Sequence, residues 1–260
     1  MPYEALLYQV KDGVATITIN RPERRNALSW TVMSELRTAF EAAKAESDVR
    51  VVVLTGAGEK AFCAGADLTG MRADAGWAEV HDGRGELARL FRSMWELGKP
   101  IVARVRGYAL AGGFGLCLAC DFVVAAEDAQ FGTPVIDVGL WPYMITVPLM
   151  RSMPPKVALE LMMTGRRVNA QEAEHIGFVN RVVPVDQLDT AVDDLTGTLA
   201  AKSPAIMKLG RDSFYAVWDQ SAEDALKLLH GMLTITSATD DAAEGIAAFA
   251  EKRPPVWKGR

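Results

Sequence analysis

The sequence has few cysteines, few histidines, no excess of positive charge and no long apolar run. Only Cys63, Cys117 and Cys120 occur among 260 residues, so a disulfide framework is not expected and a reducing, cytoplasmic setting is. Cys117 and Cys120 form a lone C-x-x-C with no further ligands nearby. A zinc site would need two more, so the pair is expected on a buried helical face. His81, His175 and His230 are the only histidines, and no H-E-x-x-H or comparable set exists, so no metal is expected. The formal charge of -5 argues against a nucleic-acid footprint. No apolar run reaches the roughly 18 residues of a membrane span. The opening MPYEALLYQVKDG lacks the basic and apolar regions of a secretion signal. There is no Gly/Ser or Pro-rich linker and no repeat of solenoid period.

Half of the residues are hydrophobic, enough for one large core. Val14 to Asn20 alternates as a strand should. Ser29 can cap a helix carrying Met33, Leu36, Phe40 and Ala43 on one face. VRVVVLTG, from Val49 to Gly56, reads as a buried strand. Leu87 to Leu97 reads as a helix with Leu87, Leu90, Phe91, Met94 and Trp95 on a broad face. A strand from Ile101 to about Arg106, a helix in AGGFGLCLAC and a strand in DFVVAAE come next. Strands alternating with helices predict an α/β fold. From about Asp186 to Phe249 the composition turns helical. The expected division is a core over 1–195 and a helical oligomerisation region over 196–260.

Two segments combine small residues with a strand end. The first is Ala61 to Leu68, and the second is Val105 to Phe114. Small residues let backbone approach a ligand, and the second segment enters a helix whose first N–H groups lack partners. One N–H from each, aimed at a carbonyl oxygen, would form an oxyanion hole. Tight turns and close packing would account equally for the glycines. Neither segment fits G-x-G-x-x-G or the P-loop, and no G-x-S-x-G is present.

Ordered blocks then carry a resemblance: Asn20-Arg21-Pro22, Asn26-Ala27-Leu28, VVVLTG, AFCAGADL, KPIVARVRGYALAGG, CDFVVAAEDAQFGTP, Met163-Thr164-Gly165 and GFVNRVVP. Together they resemble the enoyl-CoA hydratase/isomerase, or crotonase, family over about residues 4–257. The resemblance implies a crotonase-like (ClpP/crotonase) spiral of β-β-α units with C-terminal helices that build homotrimers, often paired into hexamers. It implies an acyl-CoA thioester as partner, coenzyme A entering only with the substrate, and no permanently bound cofactor. It places the oxyanion donors at the backbone of Ala66 and Gly112. It matches Arg24 or Arg25, Ala27, Ala64, Ala66, Asp67 and Leu68 to CoA contacts. Phe249 and Lys252 match a helix that reaches CoA from a neighbouring subunit. The basic residues could neutralise phosphates despite the acidic total.

The chain departs from the family at the two glutamates that hydratases use. One position, three residues past the glycine loop, is Gly115. The other, after the proline of AQFG-x-P, is Val135. Neither can carry a proton, and general acid–base chemistry is worth about 10²-fold or more. Asp137 could take over if the segment is extended, because residues two apart then share a face. Capping of a turn or pairing with an arginine would occupy it otherwise. Tyr143 is expected to line the core or the pocket. Trp141, Tyr143, Met144, Ile145 and Val147 make the segment after Gly139 bulky, which suits an apolar acyl chain or ordinary packing. Cys63 has no histidine base and reads as a packed thiol. Val138-Gly139-Leu140, PPKVALELMMTG and KRPPVW also resemble a branch lacking the glutamates. Two functions fit these residues: an enzyme that stabilises a thioester enolate, with poor ordinary hydratase activity, or a non-catalytic acyl-CoA binding, carrier or regulatory protein.

Overall fold

The computed structural model describes residues 3–67 and 76–260. Strands β1 (Leu6–Lys11) and β2 (Val14–Ile19) form an antiparallel hairpin. Its two-residue turn, Asp12-Gly13, takes positive φ at both positions (51° and 80°), the geometry that matches strand twist. Helix α1 (Trp30–Ala45) crosses back to β3 (Val51–Gly56), which lies parallel to β2. Ser29 caps α1 by accepting from the Val32 N–H. Leu36, Phe40 and Ala43 are buried as the helical spacing requires.

The chain then repeats one move. From a strand of a large sheet it bends into a short strand of a second sheet and returns through helix. Strand β3 leads to β4 (Ala61–Cys63), then α2 (Trp77–Arg84) and α3 (Glu86–Trp95). Strand β5 (Ile101–Val105) leads to β6 (Tyr108–Leu110) and α4 (Gly112–Ala119). Strand β7 (Phe122–Ala126) leads to β8 (Gln130–Gly132), a 3-10 helix (Pro134–Val138), α5 (Tyr143–Ser152) and α6 (Pro155–Thr164). Then come β9 (Arg167–Asn169), α7 (Ala170–Ile176), β10 (Arg181–Val183) and α8 (Leu188–Ala200). The larger sheet has the order β1-β2-β3-β5-β7-β10, and the smaller β4-β6-β8-β9. The bend at Gly107 needs glycine: φ is 64°, and a Cβ would lie 2.3 Å from the Lys60 carbonyl oxygen.

All six residues of β3 are buried because both faces are covered. Val52 and Leu54 join the main core, while Val51 and Val53 pack with Leu188, Ala191 and Val192 of α8, as period-two alternation dictates. Helix α8 runs across the 195/196 division and packs on the large sheet, so the helical appendage proper begins after it. That appendage comprises α9 (Pro204–Val217), α10 (Ala222–Ser237) and α11 (Asp240–Glu251). Buried Arg211 fastens it to the core, donating to Asp121 and to the Met94 and Trp95 carbonyls at 2.8 Å each. Leu226 and Leu233 of α10 are exposed in the single chain.

Candidate active site

The first loop leaves β4 and passes beside the segment after β2. The Ala64 N–H donates to the Arg25 carbonyl at 3.0 Å, Leu28 N–H to Gly65 at 2.7 Å, and Asp67 N–H to Leu28 at 2.9 Å. This is a one-residue parallel bridge between Leu28 and Ala66. It uses the carbonyl of Gly65 and the N–H of Asp67, so the N–H of Ala66 itself points away from Leu28. Gly65 has φ 97°, and a Cβ on it would lie 2.8 Å from Ala111 Cβ and 3.5 Å from the Gly112 nitrogen. Glycine here permits both the turn and the approach of the second loop.

The second loop is a single residue. Ala111 N–H donates to the Gly132 carbonyl at 2.8 Å. Its own backbone then takes φ 50°, ψ −120°, a conformation that costs an alanine about 1–3 kcal/mol. That turn converts β6 into α4 at once, and Gly112 becomes the first helical residue, whose N–H has no intrahelical acceptor. Among the described residues, neither the Ala66 nor the Gly112 N–H has a hydrogen-bond acceptor. The two residues sit on abutting loops: the Cβ position of Gly112 is 3.9 Å from Gly65 Cα.

Two residues whose roles were not read from the sequence brace this arrangement. Asn26 is fully buried at φ 55°. Its Oδ1 accepts from Arg21 N–H at 3.0 Å, and its Nδ2 donates to the carbonyls of Ala57 and Ala61 at 3.0 and 2.7 Å. Arg21 donates to the Ala27 carbonyl at 2.9 Å and to Asp67 at 3.0 Å. Asp67, expected at CoA, therefore has its carboxylate on Arg21 and its N–H on Leu28, and it acts as a strut between loops. The only signal for Asn26 and Arg21 was their place in the family blocks. Ala27 and Ala64 are half-buried on the same pair of loops. Arg24 and Arg25 project exposed beside them and, among the described residues, form no ion pair. Leu68 lies outside the described residues.

The site's inner wall is apolar. A Cβ on Gly112 would meet Leu28 Cδ1 at 3.0 Å and Leu87 Cδ2 at 3.7 Å. One turn on, a Cβ on Gly115 would lie 2.3 Å from Ile145 Cγ2 and 2.9 Å from Phe91 Cζ. The place of the first family glutamate is thus filled with hydrocarbon. Val135 is half-buried in the 3-10 helix.

That helix corrects the premise for Asp137. With about three residues per turn, positions 135 and 137 do not share a face. The Asp137 carboxylate oxygens lie 3.2 and 3.3 Å from the Cβ position of Gly165, against the end of α6. Tyr143 is also corrected. It opens α5 and is 71% exposed, and Met144 and Val147 are exposed with it. Of the bulky segment only Ile145 is buried, with Trp141 half-buried against the core.

Cys63 is buried, and burial pushes its thiol up to about 12 while a hydrogen bond from the Gly65 backbone opposes this. It is a packed thiol. Cys117 and Cys120 are buried too. His81, His175 and His230 are exposed on α2, α7 and α10, His81 stacked on Trp77 at 5.3 Å.

A cavity of about 1110 Å³ lies elsewhere, between α9, α11 and the core. It is lined by Leu118 and Cys120 at the far end of α4, and by Arg211, Phe214, Phe249 and Trp257. Eight helical residues span about 12 Å, so this space is separate from Gly112. Phe249 is 87% exposed and Lys252 is exposed at the end of α11. Within one chain, neither stands among the residues that surround Gly112.

Known proteins share this geometry. The family model for enoyl-CoA hydratase/isomerase matches residues 9–260. A carnitinyl-CoA dehydratase of Proteus mirabilis is 35% identical, covering 99% of both chains. The crystal structure of an enoyl-CoA hydratase from Mycobacterium smegmatis superposes with a TM-score of 0.93 at 35% identity, covering 97% of this chain and 98% of that one. Human enoyl Coenzyme A hydratase domain-containing protein 3 also gives 0.93, at 30% identity, over 98% of this chain and 100% of its own. The chain folds as a crotonase-type α/β protein and belongs to the enoyl-CoA hydratase/isomerase family.

Proposed function

We propose that the protein binds an acyl-CoA thioester and polarises its carbonyl with the N–H groups of Ala66 and Gly112, stabilising the enolate formed during turnover. Family membership makes it an enzyme of the lyase or isomerase type acting on CoA thioesters. The observation that carries the finer reading is the pair of acceptor-free N–H groups on abutting loops, held there by the Leu28 bridge and the strained Ala111. Donors placed before charge develops stabilise a transition state without reorganising. Arg24 or Arg25 supplies charge for CoA phosphates. Ordinary hydration is poor, because the Gly115 and Val135 positions offer neither base nor acid. No resident cofactor is needed. Phe249, Lys252 and the exposed leucines of α10 act across subunits, in a homotrimer or a hexamer.

The test is a panel of CoA thioesters, followed for both binding and product, on the native protein and on Ala66→Pro. Proline removes the Ala66 N–H but leaves the bridge, which uses Gly65 and Asp67. Turnover in the variant is expected to fall about 10²–10³-fold. Unchanged turnover would refute the oxyanion assignment. Tight binding with no product across the panel would show a carrier instead. Hydration of crotonyl-CoA at an ordinary hydratase rate would refute the reading of Gly115 and Val135.

A further inference from the structure

Resting on the oxyanion reading just proposed, we infer that the substrate class is a CoA thioester bearing a carboxylate on its α-carbon, and that the enzyme releases this group as CO2. The observation is the wall beside the two N–H groups. Gly112 and Gly115 stand one turn apart on α4, and Leu87 and Phe91 stand one turn apart on α3, so the two pairs face each other along the helices. Leu28 and Ile145 close the remaining sides. Each side-chain atom that a Cβ at Gly112 or Gly115 would meet within 4 Å is a carbon. Leu28, Phe91 and Ile145 are each no more than 4% exposed.

Chemistry narrows the reactions that such a wall permits. Enolate formation by removing an α-proton requires a base, and enolate formation by adding water to an enoyl group requires a base as well. Loss of CO2 requires neither. The bond between the α-carbon and the carboxylate breaks, and its electron pair becomes the enolate, whose charge rests on the thioester oxygen between the two N–H groups. The α-carbon then takes a proton from water. The balance is one carboxy-acyl thioester and one proton giving CO2 and the shortened acyl thioester, with no oxidant or reductant. The wall also acts in the correct direction. A carboxylate pressed against Leu87, Phe91 and Ile145 loses its hydration, whereas CO2 is uncharged and suits hydrocarbon. The strained turn at Ala111 fits the same scheme, since it aims a donor where charge develops.

The experiment supplies malonyl-CoA and methylmalonyl-CoA to the purified full chain and measures CO2 together with acetyl-CoA or propionyl-CoA. In parallel, acetyl-CoA is titrated as a non-reacting thioester. Stoichiometric CO2 and shortened thioester, at least a hundredfold above the uncatalysed rate, are expected. Ile145→Asn, which lets water or an amide reach the carboxylate, is expected to slow the reaction more than tenfold with acetyl-CoA affinity retained, while Ile145→Val stays within threefold of wild type. Retained acetyl-CoA affinity also shows that each variant is folded. If acetyl-CoA binds and neither substrate loses CO2, decarboxylation is overturned and the oxyanion reading stands. If acetyl-CoA does not bind, both are overturned. CO2 release unaffected by Ala66→Pro would place the reaction outside this site and overturn the inference.

Discussion

Replacing Gly115 by glutamate restores one of the two carboxylates of a hydratase, but the surrounding packing opposes the new side chain. Its Cβ falls 2.3 Å from Ile145 Cγ2 and 2.9 Å from Phe91 Cζ. Ile145 is β-branched and nearly fully buried, so it has little rotamer freedom with which to withdraw. Overpacking of this kind costs about 1–3 kcal/mol. Burying a polar carboxyl without a partner adds about 2 kcal/mol or more. The sum, about 3–5 kcal/mol, lowers the thermal midpoint by roughly 10 °C for a chain of this size. Crotonyl-CoA hydration stays low, since position 135 still has no carboxylate. In the double variant Gly115→Glu/Ile145→Ala the clash is removed, and the two changes couple favourably by about 1–3 kcal/mol. Thermal unfolding followed by circular dichroism, with a crotonyl-CoA assay on the same preparations, measures both effects. An unchanged melting temperature for the single variant would refute the packing argument. A single variant that hydrates at an ordinary hydratase rate would refute the claim that two carboxylates are needed.

The braces and the buried groups give further expected outcomes. Asn26→Ala removes three hydrogen bonds and strands three buried backbone groups, so stability falls by about 3 kcal/mol in chemical unfolding and thioester affinity falls with it; a variant as stable as wild type would show that Asn26 braces nothing. Arg24→Ala and Arg25→Ala together weaken acyl-CoA binding severalfold and flatten its salt dependence, as titration at two ionic strengths would reveal; an unaltered salt slope would remove both from the phosphate site. Burial pushes the Cys63 thiol up to about 12, above its unfolded value of about 8.5. The raised pKa stabilises the fold fully below that value and is lost as pH rises towards 12. Cys63→Ala should therefore flatten the fall in thermal midpoint above about pH 9, and an identical alkaline profile in the two proteins would contradict this.

Much of the fold was legible in the residues. The alternation of Val14 to Ile19, the unbroken apolar run of Val51 to Leu54 and the Ser29 cap are local signals, and local physics places them. The short strands β4, β6 and β8 were not legible. Each has only three residues, too few to show a period, and each exists because its neighbours in the smaller sheet supply hydrogen bonds. Asp137 shows the same limit from the other side. Its supposed alignment with Val135 depended on extended backbone, and Pro134 with the Gly139 turn bends that stretch into a 3-10 helix. Tyr143 and Ile145 lie two apart on one helix, yet one is exposed and the other fills the space at Gly115; composition alone could not assign those faces.

The chain by itself determined its family, its α/β order and the lack of an ionisable group at positions 115 and 135, because these are properties of residue identity and sequence order. Tertiary structure alone decided that Gly65 abuts Gly112, that Asn26 and Arg21 hold the loops, and that Ile145 and Phe91 occupy the vacant glutamate position. Those facts depend on contacts between segments far apart in sequence, which only chain packing brings together.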